Sequence, residues 1–123
     1  MAGFDSALQE IDNILNDAHR APGMKDIKDR VRLVVDVRSR VLKQFAELYN
    51  CLASDPRIAA NPEQAAAIRQ RLTEVRQRLA ALQAKWRANE MIADFESYAR
   101  ESTPVAQAAK DFVTWAQRAR LAA

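Results

Sequence analysis

Three cations spaced by sevens, Arg71, Arg78 and Lys85, form the most organised set of chemically capable side chains in this chain of 123 residues. Seven residues are nearly two helical turns, so on a helix all three share one face. Arg69 and Arg76 line a second face, and Arg87 follows. Between positions 69 and 87, six basic residues stand against Glu74 alone. Such a stripe can dock an acidic protein surface through charge complementarity. It can also track the phosphates of a nucleic acid, or serve only as a solvated face. No aromatic residue is interleaved on it, because Trp86 belongs to the apolar seam, so base stacking is not indicated.

Arg38 is a second site of interest, because it falls where a helical seam calls for an apolar residue. A buried Arg there holds an anionic ligand or pairs with a carboxylate to fix helix register. At the edge of the seam it instead extends its head into water. Asn89 interrupts another seam in the same way and reads as a register or kink position.

Beyond these, the inventory for catalysis is thin. His19 and Cys51 are the only residues of their kinds. They provide no cluster of ordinary zinc ligands, and His19 is the only base for a nucleophilic triad. His19 suits the carboxyl end of a helix, where a cation complements the dipole. Cys51, next to Leu52, reads as a small hydrophobe. Gly3 and Gly23 cannot build a phosphate-cradling loop, and no Glu-x-x-His pair exists for a di-iron centre. No catalytic, cofactor-binding or metal-binding residue is assigned, and the chain is expected to be a non-enzyme.

The elements that position these residues follow from composition and periodicity. Nearly half the chain, 49 %, is apolar, with only two Gly and four Pro. That is too little turn punctuation for an all-β fold. Ala, Arg, Leu, Gln and Glu dominate, and they enter helices at little cost. Arg outnumbers Lys, which suits a GC-rich bacterial or phage gene. The net charge of +3 is mildly basic, weaker than the bias of a dedicated nucleic-acid domain.

A first helix opens on Ser6 and Gln9 as a capping box with Phe4 as a staple. It carries the stripe Phe4, Ala7, Leu8, Ile11, Ile14, Leu15 and Ala18, and stops at Ala21-Pro22-Gly23. A second helix over about 25–53 carries Ile27, Val31, Val34, Arg38, Val41, Phe45, Leu48 and Leu52, with a flanking row of Val35, Leu42 and Tyr49. Val31, Leu33, Val35 and Val37 also alternate as a strand would, but the helical period continues on both sides. After a turn through Ala60, Asn61-Pro62-Glu63-Gln64 starts a third helix. Its seam, Ala65, Ile68, Leu72, Val75, Leu79, Leu82 and Trp86, has coiled-coil spacing. At Asn89 the apolar set moves to Ile92, Phe95 and Ala99, so a kink or a phase shift is expected there. Thr103-Pro104 is expected to end this stretch and cap a last helix carrying Val105, Ala108, Phe112, Trp115, Ala116 and Ala119.

The expected fold is all-α: one domain over 1–123, an elongated bundle of about four amphipathic helices with a long central antiparallel pair. Helix lengths add a constraint. A compact domain of this size has a radius of gyration of roughly 14 Å. The second helix alone is ~42 Å long, and the third reaches ~60 Å if unbroken, against ~25 Å for each short helix. Apolar seam is then left uncovered, which implies a partner, most simply a second copy of the chain. The expected role is a protein–protein interaction module acting through helix faces and self-associating, with another, acidic protein as partner. Nucleic-acid binding through Arg69–Arg87 is the alternative. The amino terminus has no basic or apolar run of a secretion signal, one cysteine suits a reducing compartment, and no stretch is long enough to span a membrane. The expected address is the cytoplasm, with no cofactor.

Overall fold

Helix starts in this chain are set by short polar side chains. Asp26 accepts hydrogen bonds from the backbone N–H groups of Lys28 and Asp29 at 2.8 and 3.1 Å. Asn61 accepts one from Gln64 at 3.2 Å, with Pro62 at the first helical position. Each satisfies donors that the first turn of a helix leaves orphaned. In the computed structural model, which describes residues 3–122, six helices result: α1 (Gly3–Ala18), α2 (Ile27–Ser54), α3 (Pro56–Ala59), α4 (Pro62–Lys85), α5 (Ala88–Ala93) and α6 (Phe95–Ala122). A 3₁₀ turn covers Ala21–Gly23. None of the described residues lies in a strand. The chain is all-α, with four long helices and two short ones where the sequence reads as a turn and a break.

The start of α1 differs from expectation. The helix already includes Gly3, so Ser6 is an exposed residue within it rather than its cap, while Phe4 is fully buried. The strand-like alternation near Val31 lies inside α2, where Val31, Val34, Val37 and Val41 are buried and Val35 is exposed. The expected turn through Ala60 contains one helical turn, α3, capped by the Asp55 carboxylate on the Arg57 N–H at 2.9 Å.

The last third holds the largest differences. The kink expected near Asn89 is a full break just before it, where Trp86 and Arg87 leave helical geometry after α4, and Asp94 separates α5 from α6. A continuous helix would turn Asn89 toward the seam; the break leaves Asn89 exposed and buries Met91 completely. Asn89 is therefore no part of a polar seam. Asp94 restarts the chain, accepting from the Ser97 N–H at 3.1 Å. Thr103-Pro104 does not end a helix: Pro104 lies inside α6. Proline removes the donor for the Arg100 carbonyl and costs ~3 kcal/mol in a helix interior. Tyr98 before it and Phe112 and Val113 after it are all buried, each worth roughly 1.5–3 kcal/mol. Packing on both sides outweighs the proline.

The buried side chains form two clusters. The main core joins the α1 stripe to Phe45, Leu48 and Leu52 of α2, Ile68 and Leu72 of α4, and Phe112, Val113 and Ala116 of α6. A smaller cluster holds Ala21, Val31, Val34, Trp86, Met91 and Tyr98. The most extensive packing is α1 on α2, followed by α4 on α6, with α2 and α4 touching more sparingly. The long helices thus do not form the expected central pair. Because α6 starts at Phe95 rather than after Pro104, its 28 residues match α2 in length. The spare apolar seam is consequently missing: among the described residues, Val35 and Ile92 are the large hydrophobics that stand exposed.

Candidate functional site

The basic face is built on α4, whose apolar seam points inward and so turns its Arg positions out. Ala65, Ile68, Leu72 and Val75 are buried, and Arg69, Arg71, Arg76, Arg78 and Lys85 are all exposed, as is Arg87 in the break that follows. Arg71 and Arg78 border a shallow groove against α6, of about 230 Å³, whose wall also carries Glu74 and Asp111. Arg78 and Lys85 border the next groove, with Glu101 and Pro104 opposite. The spacing by sevens therefore does place Arg71, Arg78 and Lys85 along one line, the α4–α6 seam. Arg76 faces the other way, toward α2.

Neutralisation along this face is sparse. Lys85 pairs with Glu101, and that bond, helped by the Trp86 indole N–H at 2.5 Å, holds the Glu101 carboxyl below its ordinary range. Among the described residues, none of the other five cations has a carboxylate within 4.0 Å. Of the acidic residues of α1, Asp17 pairs with Arg40 at 3.2 Å and Asp5 with Arg57 at 3.8 Å, and among the described residues none pairs with a cation of the stripe. They do not neutralise the stripe.

Two guanidinium groups on this face are held over rings. Arg71 lies 4.2 Å from the centre of Trp115, and Arg76 lies 5.0 Å from that of Tyr49, whose hydroxyl bonds Thr73 at 2.5 Å. The rings belong to α6 and α2, so sequence spacing along α4 could not reveal them. Stacking restrains a guanidinium while leaving its N–H edge free for a carboxylate or phosphate. Because each ring is covered by a cation and only partly exposed, neither is an open platform for a base.

Arg38 has a different task from those its position suggests. Its Nη1 donates to the Trp86 carbonyl at 2.7 Å, capping the end of α4. Its Nη2 lies 3.5 Å from the Met91 sulfur, and its guanidinium sits 5.2 Å from the Tyr98 ring centre. It is half-buried and pairs with no carboxylate among the described residues. Arg30, two turns earlier, does the same for the Met24 carbonyl and lies over Phe95 at 4.9 Å. Nothing in the sequence pattern marked Arg30.

His19 is exposed past the end of α1. Cys51 is buried, and that burial, reinforced by Glu47 and Asp55, pushes its thiol pKa up. A raised pKa disfavours the reactive thiolate. Among the described residues no helix is long and apolar enough to cross a membrane, and no three His, Cys, Asp or Glu gather as metal ligands.

Fold and site together define a class, an all-α helical bundle presenting one basic helix face. No known protein family, curated protein or solved structure matches the chain.

Proposed function

We propose that this chain is a non-enzymatic binding module that docks an acidic protein partner along the α4–α6 seam. One observation carries the reading: five of the six cations in the Arg69–Arg87 stripe have no carboxylate within 4.0 Å among the described residues. The order of charges favours a protein over a nucleic acid. Glu74, Asp111 and Glu101 alternate with Arg71, Arg78 and Lys85 along the grooves, a pattern that repels a uniform polyanion and suits a surface of mixed charge. Successive cations lie ~10.5 Å apart along the axis, the heptad repeat of an acidic partner helix.

The test is capture with cross-linking from the native host, wild type beside Arg71→Gln/Arg78→Gln. An acidic partner cross-linked to α4 and absent from the variant supports the reading. Identical capture by both proteins, or cross-links confined to other helices, overturns it. Binding to duplex DNA that weakens steeply with salt, with a slope shallower by about one for each cation removed, would assign the face to nucleic acid instead.

A further inference from the structure

The two helix breaks are built differently. At the second, Asp94 supplies a local signal, its carboxylate accepting from the Ser97 N–H at 3.1 Å. At the first, Trp86–Arg87, that signal is missing. Arg87 holds the capping position of α5 without a side-chain cap bond, and no Gly or Pro stands between Lys85 and Phe95. Arg87, Ala88, Glu90 and Met91 are all strong helix formers. Local sequence therefore favours a helix running straight from α4 into α5, and the bend contradicts it.

Long-range contacts impose the bend. Arg38 donates to the Trp86 carbonyl at 2.7 Å. The Trp86 indole N–H donates to Glu101 at 2.5 Å, and its ring meets Tyr98 edge-on at 5.9 Å. Met91 is fully buried in one cluster with Val31 and Val34 of α2. Contacts of α5 and α6 with the rest of the fold form equally well with α5 and α6 of another copy. The Trp86 carbonyl is the exception. In a straight helix it accepts from the Glu90 N–H four residues on and has no use for Arg38.

We infer that Trp86–Arg87 is a hinge through which α5 and α6 exchange between two copies of the chain, giving a dimer in which α4 and α5 form one helix. The occupant follows from what opening uncovers. Releasing α6 bares Phe112, Val113 and Ala116, together with the faces of α1, α2 and α4 that share their core. A second copy presents those same side chains in the same order, and a reciprocal exchange covers both sets. The inference does not rest on the acidic-partner reading, and either can fail without the other.

The test is refolding from urea at high protein concentration, followed by size exclusion with light scattering. A dimer is expected, and Arg38→Met should raise the dimer-to-monomer ratio about tenfold, because only the bent form uses that hydrogen bond. Ala88→Pro should abolish the dimer while the monomer melts no lower than wild type. Ala88 is the first residue of α5 and Arg87 before it is already extended, at φ −81 and ψ 171, so the bent form accepts a proline there. In a straight helix the same ring meets the Ala84 carbonyl. Carbodiimide coupling of a wild-type dimer made from light and isotope-labelled chains should join Lys85 of one chain to Glu101 of the other, a pair that lies across the hinge within the monomer. That readout does not depend on how the proline variant folds. No dimer from wild type or Arg38→Met, a dimer that Ala88→Pro still forms, or Lys85–Glu101 links confined to single chains overturns the inference.

Discussion

The main core and the small cluster at the helix break hold the same chain together by different means. In the main core, uninterrupted stretches of α1, α2, α4 and α6 present aliphatic and aromatic stripes, and Phe4, Phe45, Leu48, Ile68 and Leu72 are fully buried. The backbone there satisfies itself within helices, so the contacts need no direction. In the small cluster the chain leaves helical geometry at Trp86–Arg87 and again at Asp94, and carbonyls at such ends lose their intrahelical donors. Arg30 and Arg38, both on α2, supply them at Met24 and Trp86 while covering the Phe95 and Tyr98 rings. Where a chain must turn inside a core, apolar burial alone is insufficient, and long cations serve as both cap and wall.

This contrast is breakable, and the largest effect belongs to the main core. Phe45→Ala removes a fully buried ring and should cost about 3–5 kcal/mol in urea denaturation. That is much of the ~5–15 kcal/mol a domain possesses. A loss under about 1 kcal/mol would show that the main core does not carry the fold. Arg38→Met comes next. It leaves the Trp86 carbonyl without its donor and should cost about 1–3 kcal/mol. Hydrogen exchange locates the damage: amides over 86–98 should lose protection while those of α1 keep theirs. Uniform loss across the chain would mean that the two clusters are one cooperative unit.

The same contrast explains what was legible in the sequence. The α1 stripe, the α2 seam and the run from Ala65 to Trp86 are periodic, and burial follows that period nearly residue by residue. The Asn61 cap was readable because capping is local. The small cluster was not, because its organising bonds join positions 48 and 53 residues apart, and no spacing rule reports those. Pro104 misled for the opposite reason: a strong local breaker lost to burial on both sides of it. That one misplacement shortened α6, left α2 seemingly uncovered and generated the expectation of a spare apolar seam. The stripe on α4 was legible as charge, while the rings under Arg71 and Arg76, contributed by other helices, were not.

Pro104 also links the two clusters, since Tyr98 precedes it in one and Phe112 follows it in the other. Pro104→Ala restores the donor for the Arg100 carbonyl and should stabilise the protein by about 1 kcal/mol, short of the full ~3 kcal/mol helix-interior penalty because the present packing has adapted to the proline. Thermal unfolding measures the gain. A destabilised variant would show that the proline's shape is required where α6 passes from one cluster to the other.

The smallest effect concerns the rim of the main core, where Asp55 is the buried charged residue among those described. Its carboxylate caps α3 and meets the Arg57 guanidinium at 3.1 Å, and that hydrogen bond holds its pKa below the ordinary value. A carboxyl whose folded pKa is depressed adds stability above its unfolded pKa of ~3.9, and that contribution fades as pH falls through the folded value. Arg57 is half-exposed, so solvent screening limits the contribution to about 1 kcal/mol or less. Asp55→Asn keeps a competent cap but cannot titrate. The wild type should therefore lead the variant in melting temperature near pH ~6 and lose that lead by pH ~2. Asp94 and Glu101, also depressed, titrate in both proteins and cancel from the difference. If the gap between wild type and Asp55→Asn stays constant with pH, the Asp55–Arg57 bond adds no pH-dependent stability, and the rim of the main core is not where acid acts.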